Sequence, residues 1–336
     1  MPIALSALRV VIDLSISASG PLLTCHTLSV RSRCKKSMHQ PLAIVGIGCR
    51  FPGGAVDPDS LWRLLASGTD AISEVPADRW DLRRFYHPDV TEPGKTSARH
   101  GGFLKQSLYD FDAPFFGLSS REASVADPQQ RLLLEATWEA FEDAGQDCAA
   151  LRGRPVGVFV GGFMLDNFLD RFGITSRDYI SPSTATSGMM VMLSNRLSHA
   201  FDFVGPSLSV DTACSSSLVA THLACSSLWA GESEIAIAAG VNVMMAPEPF
   251  ITMTKGGFLS PDGRCKAFDR PGTCSGSSAC SLPSAIFSFH PAPTAPPLPP
   301  ISTASMPWRN GKPRRMSPLE AAMRPNVSQC ARCWLT

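Results

Sequence analysis

The sequence lacks an excess of either charge and lacks any long, uninterrupted apolar run. Thirty Lys and Arg residues face 29 Asp and Glu residues, for a formal net charge of +1, whereas a general nucleic-acid binder usually needs a basic face. The apolar stretch 1–23 is interrupted by Arg9 and Asp13, so it is too broken for a membrane span or a secretory signal. We therefore expect no nucleic-acid partner and no membrane association.

A disulfide framework is also absent. The eleven cysteines are odd in number and have no regular spacing, which favours reduced thiols in a cytoplasmic protein. Cys330 and Cys333 form one CxxC pair, but no second pair lies at zinc-finger spacing. We attribute this pair to chance and predict no metal site.

The near-zero net charge is an average over three unlike segments. Residues 1–40 carry a net charge of +4, residues 41–269 a net charge of −9, and residues 270–336 a net charge of +6. Residues 1–40 are interpreted as a disordered or spurious leader, with Met38 as an alternative start to Met1. Residues 271–336 hold 12 of the 28 prolines, so we expect polyproline II or disorder over 270–336. This tail is either a ligand for SH3- or WW-type domains or a non-native sequence after a change of reading frame.

The acidic segment 41–269 alternates predicted strands with predicted helices. Short apolar runs predict strands over 42–47, 156–160, 207–210 and 234–244. Capping residues and apolar periodicity predict helices over 57–68 and 127–145, and a further helix that ends near residue 230, before Gly231. This alternation is typical of an α/β fold with a mixed or parallel sheet.

Two glycine-containing segments resemble nucleotide loops only superficially. Gly46 and Gly48 follow the first strand, but Phe51 stands where the third glycine of GxGxxG should be, and Pro52 follows it. The segment 157–162 has no phosphate-loop lysine. We therefore expect no bound nucleotide cofactor.

Cys214 lies where a predicted buried strand turns into a helix. The unpaired N–H groups of a helix N-terminus stabilise a thiolate, and this arrangement suits a nucleophile that accepts an acyl group. The alternative is a small, inert buried cysteine. His222 lies about 12 Å further along the same helix axis, and nothing places His199, so local sequence does not support a Cys-His hydrolase.

Residues 210–219, VDTACSSSLV, resemble the active-site motif of the β-ketoacyl synthase domains of polyketide synthases, which have the thiolase fold. Six further stretches match that family in the same order: 44–54, 111–117, 127–135, 138–145, 194–196 and 259–269. The FPGG and DPQQR blocks among them resemble the modular or iterative type I enzymes.

The resemblance implies a thiolase-like layered α/β fold of which 41–269 is the N-terminal part. It implies that Cys214 takes an acyl group from acyl carrier protein as a thioester, with its own backbone N–H holding the oxyanion. Malonyl or methylmalonyl carrier protein then loses CO₂ and attacks that thioester, giving a 3-oxoacyl product. The substrates arrive on phosphopantetheine, no other cofactor is implied, and the family forms homodimers through the sheet region before the cysteine.

The sequence departs from the family after Asp269. Two catalytic histidines, a lysine and a Gly-Phe-Gly oxyanion loop have no counterpart, and His290 is the only histidine beyond that point. We therefore expect that this chain alone is inactive in condensation, and that a half-domain exposes an apolar face and aggregates. Two alternatives remain: a non-catalytic fragment whose Pro-rich tail binds partners, and acyl transfer through Cys214 without condensation.

Overall fold

The computed structural model describes residues 40–171, 180–260, 262–264 and 284–291. The leader 1–39, the Cys330–Cys333 pair and most of the tail lie outside the described residues. Seven strands are described: β1 (Leu42–Arg50), β2 (Ser73–Glu74), β3 (His100–Gly101), β4 (Val156–Gly162), β5 (Ser207–Val210), β6 (Ile235–Val241) and β7 (Ser284–Pro291). The helices are α1 (Pro58–Ala66), α2 (Leu82–Phe85), α3 (Ser120–Val125), α4 (Pro128–Asp143), α5 (Asp166–Arg171), α6 (Pro182–Gly188), α7 (Met192–Phe201), α8 (Ser216–Ala230) and α9 (Glu248–Lys255).

Five strands form the main sheet in the order β1-β7-β6-β4-β5. The strands β4, β5 and β6 are parallel, whereas β7 runs antiparallel to both β6 and β1. The predicted α/β fold with a mixed sheet is therefore confirmed. The strand β5 lies at one edge of this sheet.

Helices cover both faces of the sheet. Alternate residues of β4 and β6 point to opposite faces, and one set packs with α4 and α7 while the other packs with α8. On the first face, a Cβ at Gly48 would lie 2.0 Å from the carbonyl oxygen of Ala136, so only glycine lets α4 come this close to β1. The buried Arg50 of β1 also forms an ion pair with Glu139 of α4, with Nη2 donating to Oε1 at 2.6 Å.

The predicted helix boundaries agree closely with the structure because their capping residues are present. Asp57 accepts a hydrogen bond from the Ser60 N–H at 2.7 Å and begins α1. Asp127 accepts one from the Gln129 N–H at 2.8 Å and begins α4, with Pro128 at the first position. Gly231 ends α8 in the left-handed conformation, as predicted.

The strand β7 differs from the sequence prediction. Composition predicts no regular structure over 270–336, but 284–291 form a strand between β1 and β6, with Phe287 paired to both Ile47 and Ala238. The prediction of disorder is wrong for these eight residues. Their β-branched and aromatic side chains favour a strand, and the strand joins the backbone edges of β1 and β6, which do not pair with each other.

The apolar residues of helix α8 are not confined to one face, and only part of the helix is covered. Ala220, Ala224 and Leu228 are buried against the sheet. On the other side, Leu218 is 59% exposed and His222 is exposed. The uncovered side of α8 thus combines an exposed leucine with a polar histidine. No helix in the described segments has both the length and the apolarity to cross a membrane.

Candidate active site

The parallel strands β4, β5 and β6 have their carboxyl ends on the same side of the sheet, and Cys214 lies at this carboxyl end. The chain leaves β5 after Val210 and makes a 3-10 turn over Ala213–Ser215. Helix α8 starts at Ser216. The predicted strand-to-helix position of Cys214 is therefore confirmed, but the prediction that this strand is buried is wrong. Leu208 is exposed and the other residues of β5 are half-buried, because β5 is an edge strand of the sheet.

The turn that carries Cys214 has an unusual backbone conformation. Ala213 has a φ of +55°, in the left-handed region that costs a residue other than glycine about 1–2 kcal/mol. The side chain of Asp211 accepts a hydrogen bond from the Ala213 N–H at 2.8 Å, which favours this conformation. Because Ala213 directly precedes Cys214, its conformation sets the direction in which the backbone enters Cys214.

Two serine hydroxyls hold the same turn. The buried Ser216 Oγ accepts a hydrogen bond from the Thr212 N–H at 2.9 Å and lies 2.7 Å from the carbonyl oxygen of Ala213. The Ser215 Oγ, which is exposed, lies 2.9 Å from the carbonyl oxygen and from the Oγ1 of Thr212. The backbone on both sides of Cys214 is thus tied by hydrogen bonds within the turn.

Glycines of the sheet allow α8 to begin directly above the strands. A Cβ at Gly161 of β4 would come within 2.4 Å of the Ser216 carbonyl carbon, and one at Gly240 of β6 within 2.6 Å of the Ser217 Cβ. Since real Cβ atoms do not approach other atoms so closely, both positions need glycine. The N-terminus of α8 is consequently fixed against the sheet at the position of Cys214.

Cys214 differs from the other thiols of the described segments in its exposure. Cys214 is exposed, Cys225 is half-buried, and Cys49 and Cys148 are buried. Burial raises the pKa of Cys49 and that of Cys148 to about 12, and burial also raises the pKa of Cys225. Because the thiolate is the reactive form, these three thiols are poor nucleophiles.

The histidines near the site do not pair with Cys214. His222 lies on α8 and is exposed, and His199 lies on α7. Within the described residues, no hydrogen bond joins either of them to the Cys214 thiol. His290 belongs to β7, where its backbone pairs with Ala43. The described part of the chain also contains no cluster of three or more His, Cys, Asp or Glu side chains suited to a metal ion.

A buried polar network, which sequence reasoning did not identify, links the loops that follow β4 and β6. The Gln129 Nε2 donates to the Met164 carbonyl at 3.1 Å, and the Gln129 Oε1 accepts from the Val243 N–H at 3.3 Å. The carboxylate of Asp166 accepts from the backbone N–H groups of Met245 and Ala246, at 2.8 and 3.0 Å. The only sequence signal was the polar Gln129 close to the Asp127 cap, and the sequence did not indicate which residues Gln129 contacts.

Asp127 is part of this network and is almost completely buried. Burial raises its pKa to about 6, and the nearby charge of Asp166 acts in the same direction, whereas the hydrogen bonds from Gln129 oppose the shift. Burial also raises the pKa of Asp166. Two carboxyl groups near the site thus have a pKa raised by burial.

Comparisons with known proteins match this part of the chain. The family model for the beta-ketoacyl synthase N-terminal domain matches residues 39–281, twelve residues beyond the predicted boundary at Asp269. The polyketide synthase GfsB of Streptomyces halstedii is 49% identical over 236 residues, which cover 69% of this chain and 4% of that protein. The spectinabilin polyketide synthase system protein NorC of Streptomyces orinoci is 48% identical, over 68% of this chain and 10% of its own length.

Solved structures give the same result for the fold. The oxazolomycin ketosynthase domain OzmH KS7 of Streptomyces albus superposes with a TM-score of 0.66 at 40% identity, over 74% of this chain and 43% of that chain. The ketosynthase from module 6 of the bacillaene synthase of Bacillus subtilis superposes with a TM-score of 0.63 at 31% identity, over 74% of this chain and 40% of that chain. This chain thus spans less than half of the solved ketosynthase chains and a small part of the curated relatives.

Proposed function

Because the chain belongs to the β-ketoacyl synthase family and contains the N-terminal part of a polyketide synthase ketosynthase domain, we propose that Cys214 is its acyl-accepting nucleophile. The observation that carries this proposal is the position of Cys214, exposed on a hydrogen-bonded turn between a parallel strand and the N-terminus of α8. The buried Cys49 and Cys148 have no such position.

The proposed reaction is acyl transfer between two sulfur atoms. The Cys214 Sγ, as a thiolate, attacks the carbonyl carbon of an acyl thioester on the phosphopantetheine of a carrier protein. The carbonyl oxygen becomes an oxyanion, and the backbone N–H of Cys214 is one donor to it. When the intermediate collapses, the bond to the phosphopantetheine sulfur breaks, that sulfur leaves as a thiol after taking a proton, and the acyl group remains on Cys214.

The second step of the family reaction needs groups that this sequence does not contain. Decarboxylation of a malonyl thioester forms an enolate, and the resemblance assigns its stabilisation to two histidines in motifs that have no counterpart here. We therefore propose that this chain by itself forms the acyl-enzyme and does not condense it with a malonyl unit. We expect it to need no cofactor besides the phosphopantetheine of its carrier, and to act in the cytoplasm.

Ketosynthases of polyketide synthases work with acyl carrier protein domains and are typically dimeric. For this chain we propose a carrier protein bearing acyl thioesters as the partner, and a homodimer formed along β5. Support for the second proposal comes from β5, which lies at the edge of the main sheet, and from the exposure of Val204 and Leu208 beside and within it. An uncovered edge strand offers unpaired backbone groups to a second copy.

The test is formation of the acyl-enzyme. The full chain is incubated with hexanoyl-N-acetylcysteamine, and peptide mass spectrometry locates the acyl group, with Cys214→Ala as the control. We expect one hexanoyl group on Cys214 and none on Cys49, Cys148 or the C214A variant. No acyl-enzyme, or acylation spread over several cysteines, would refute the proposal. Added malonyl carrier protein should release no CO₂ above the C214A background.

A further inference from the structure

We propose that Ser216 is a positioning residue for acyl transfer, because its hydroxyl holds the backbone that carries Cys214. This inference rests on the proposed role of Cys214 as an acyl acceptor. Ser216 itself is the first residue of α8 and is 4% exposed. Its hydroxyl therefore faces the interior and is shielded from solvent.

The hydroxyl connects the backbone before Cys214 to the backbone after it. As an acceptor, the Ser216 Oγ takes the Thr212 N–H at 2.9 Å, and as a donor it reaches the Ala213 carbonyl at 2.7 Å. These two backbone groups lie on the two residues before Cys214, while Ser216 lies two residues after it. The Ser216 side chain thus links, by hydrogen bonds, the backbone segments on the two sides of Cys214.

The same hydroxyl also lies close to the sheet, and its one hydrogen is donated to one carbonyl oxygen at a time. The Ser216 Oγ lies 3.2 Å from the carbonyl oxygen of Gly162, the last residue of β4. Gly161 beside it leaves no space between the strand and the Ser216 backbone. The Ala213 carbonyl is the closer acceptor, so the neighbouring strand anchors the turn mainly through the steric contact at Gly161.

The conformation of Ala213 shows why such an anchor is needed. A φ of +55° is unfavourable for alanine, so the turn would relax if its hydrogen bonds were lost. Asp211 holds the N–H of Ala213, and Ser216 holds its carbonyl. Relaxation of this peptide would move the N–H of Cys214, which is the proposed oxyanion donor.

Loss of the Ser216 hydroxyl should therefore lower the rate of acylation by a thioester more than the rate of alkylation of the Cys214 thiol. Attack on a thioester needs both the sulfur and the backbone N–H in place, and small displacements of such groups lower rates strongly. Alkylation by iodoacetamide needs only the thiolate and no oxyanion donor. The ratio of the two rates separates loss of positioning from loss of the thiolate.

The test compares Ser216→Ala with wild type and with Ser226→Ala in the full chain. Ser226 also lies on α8, and its hydroxyl only bonds the His222 carbonyl one turn earlier, so it is the matched control. Acylation is followed against hexanoyl-N-acetylcysteamine concentration, and alkylation of each cysteine is followed by peptide mass spectrometry. Buried Cys49 and Cys148 report general unfolding, because they react only when the interior opens.

For S216A we expect the maximal acylation rate to fall about tenfold, with the half-saturating thioester concentration and the Cys214 alkylation rate within about twofold of wild type. S226A should match wild type in all three. Equal losses of acylation and alkylation, faster labelling of Cys49 or Cys148, or unchanged acylation in S216A would each overturn the inference. If wild type itself forms no acyl-enzyme, the proposed function fails, and this inference fails with it.

Discussion

Gly161 of β4 lies directly beneath Ser216, so that a Cβ at position 161 would meet the Ser216 carbonyl carbon at 2.4 Å. The obstacle is backbone and not a flexible side chain. The first turn of α8 therefore packs directly against the backbone of β4, with no room for a side chain between them. This contact fixes the position of the turn that carries Cys214.

Gly161→Ala should push α8 away from the sheet and destabilise the fold. Inserting one methyl group into a packed interior costs about 1–3 kcal/mol, and the backbone contact leaves little room for relaxation. The measurement is the denaturant midpoint followed by tryptophan fluorescence. Gly256→Ala is the control, because the three atoms nearest to its Cβ all belong to the ring of the exposed Phe258, a side chain that can move aside. Equal midpoints for G161A and G256A would contradict this prediction.

Cys214 should react with iodoacetamide faster than Cys49, Cys148 and Cys225, the other cysteines of the described residues. It is exposed at the N-terminus of α8, whereas burial raises the pKa of Cys49 and that of Cys148 to about 12. We expect one equivalent to label Cys214 selectively, read by peptide mass spectrometry at neutral pH. Similar rates at Cys49, Cys148 and Cys214 would indicate a collapsed or unfolded chain.

Asp127 should make the stability of the fold fall as the pH rises from about 4 to about 6. Burial raises its pKa from 3.8 to about 6, so between these values the native state binds more protons than the unfolded state. Its stabilising contribution is complete below pH 4 and lost above pH 6, and two pKa units correspond to roughly 3 kcal/mol.

Asp127→Asn keeps a side chain that caps α4 but removes the titration. We expect a flatter dependence of the unfolding free energy on pH between 4 and 6, and a more stable protein at pH 7.5. Asp147→Asn, which replaces an exposed carboxylate bonded to the Ala149 N–H, should leave the slope as in wild type. A slope in D127N as steep as in wild type would show that Asp127 is not its source.

The uncovered face of α8 should make the chain self-associate. Leu218 is 59% exposed on the uncovered side of α8, and exposed apolar surface promotes association between molecules. Leu218→Gln should lower the average mass measured by light scattering at a given concentration. Trp62→Gln, at a similarly exposed position on α1, is the control. A wild-type protein that is a monodisperse monomer or dimer and melts cooperatively would refute association through this face of α8.

The sequence was informative where local signals determine the structure. Asp57 and Asp127 cap their helices, and Gly231 ends α8, because these residue types have local roles that do not depend on the rest of the fold. The position of Cys214 between β5 and α8 was predictable for the same reason.

Contacts between distant segments were not predictable in this way. Nothing in the sequence near Ser216 indicates that its hydroxyl reaches Gly162, 54 positions earlier, and nothing near Gln129 indicates Val243, 114 positions later. The high proline content around 284–291 concealed a strand, because composition averages over a window longer than the strand itself. Residues 284–291 form a strand because their backbone pairs with both β1 and β6.

The strand β7 also sets the order in which the sheet can form. The first strand, β1, is joined to the rest of the main sheet only through β7, and Ile47 and Phe287, which pair, are 240 positions apart. Closure of so long a loop is slow compared with local helix formation. During synthesis, β1 therefore cannot pair with β7 until residue 291 has left the ribosome. The edge of β6 stays open to other chains during that time, so the rate of elongation past residue 291 should influence the yield of native protein.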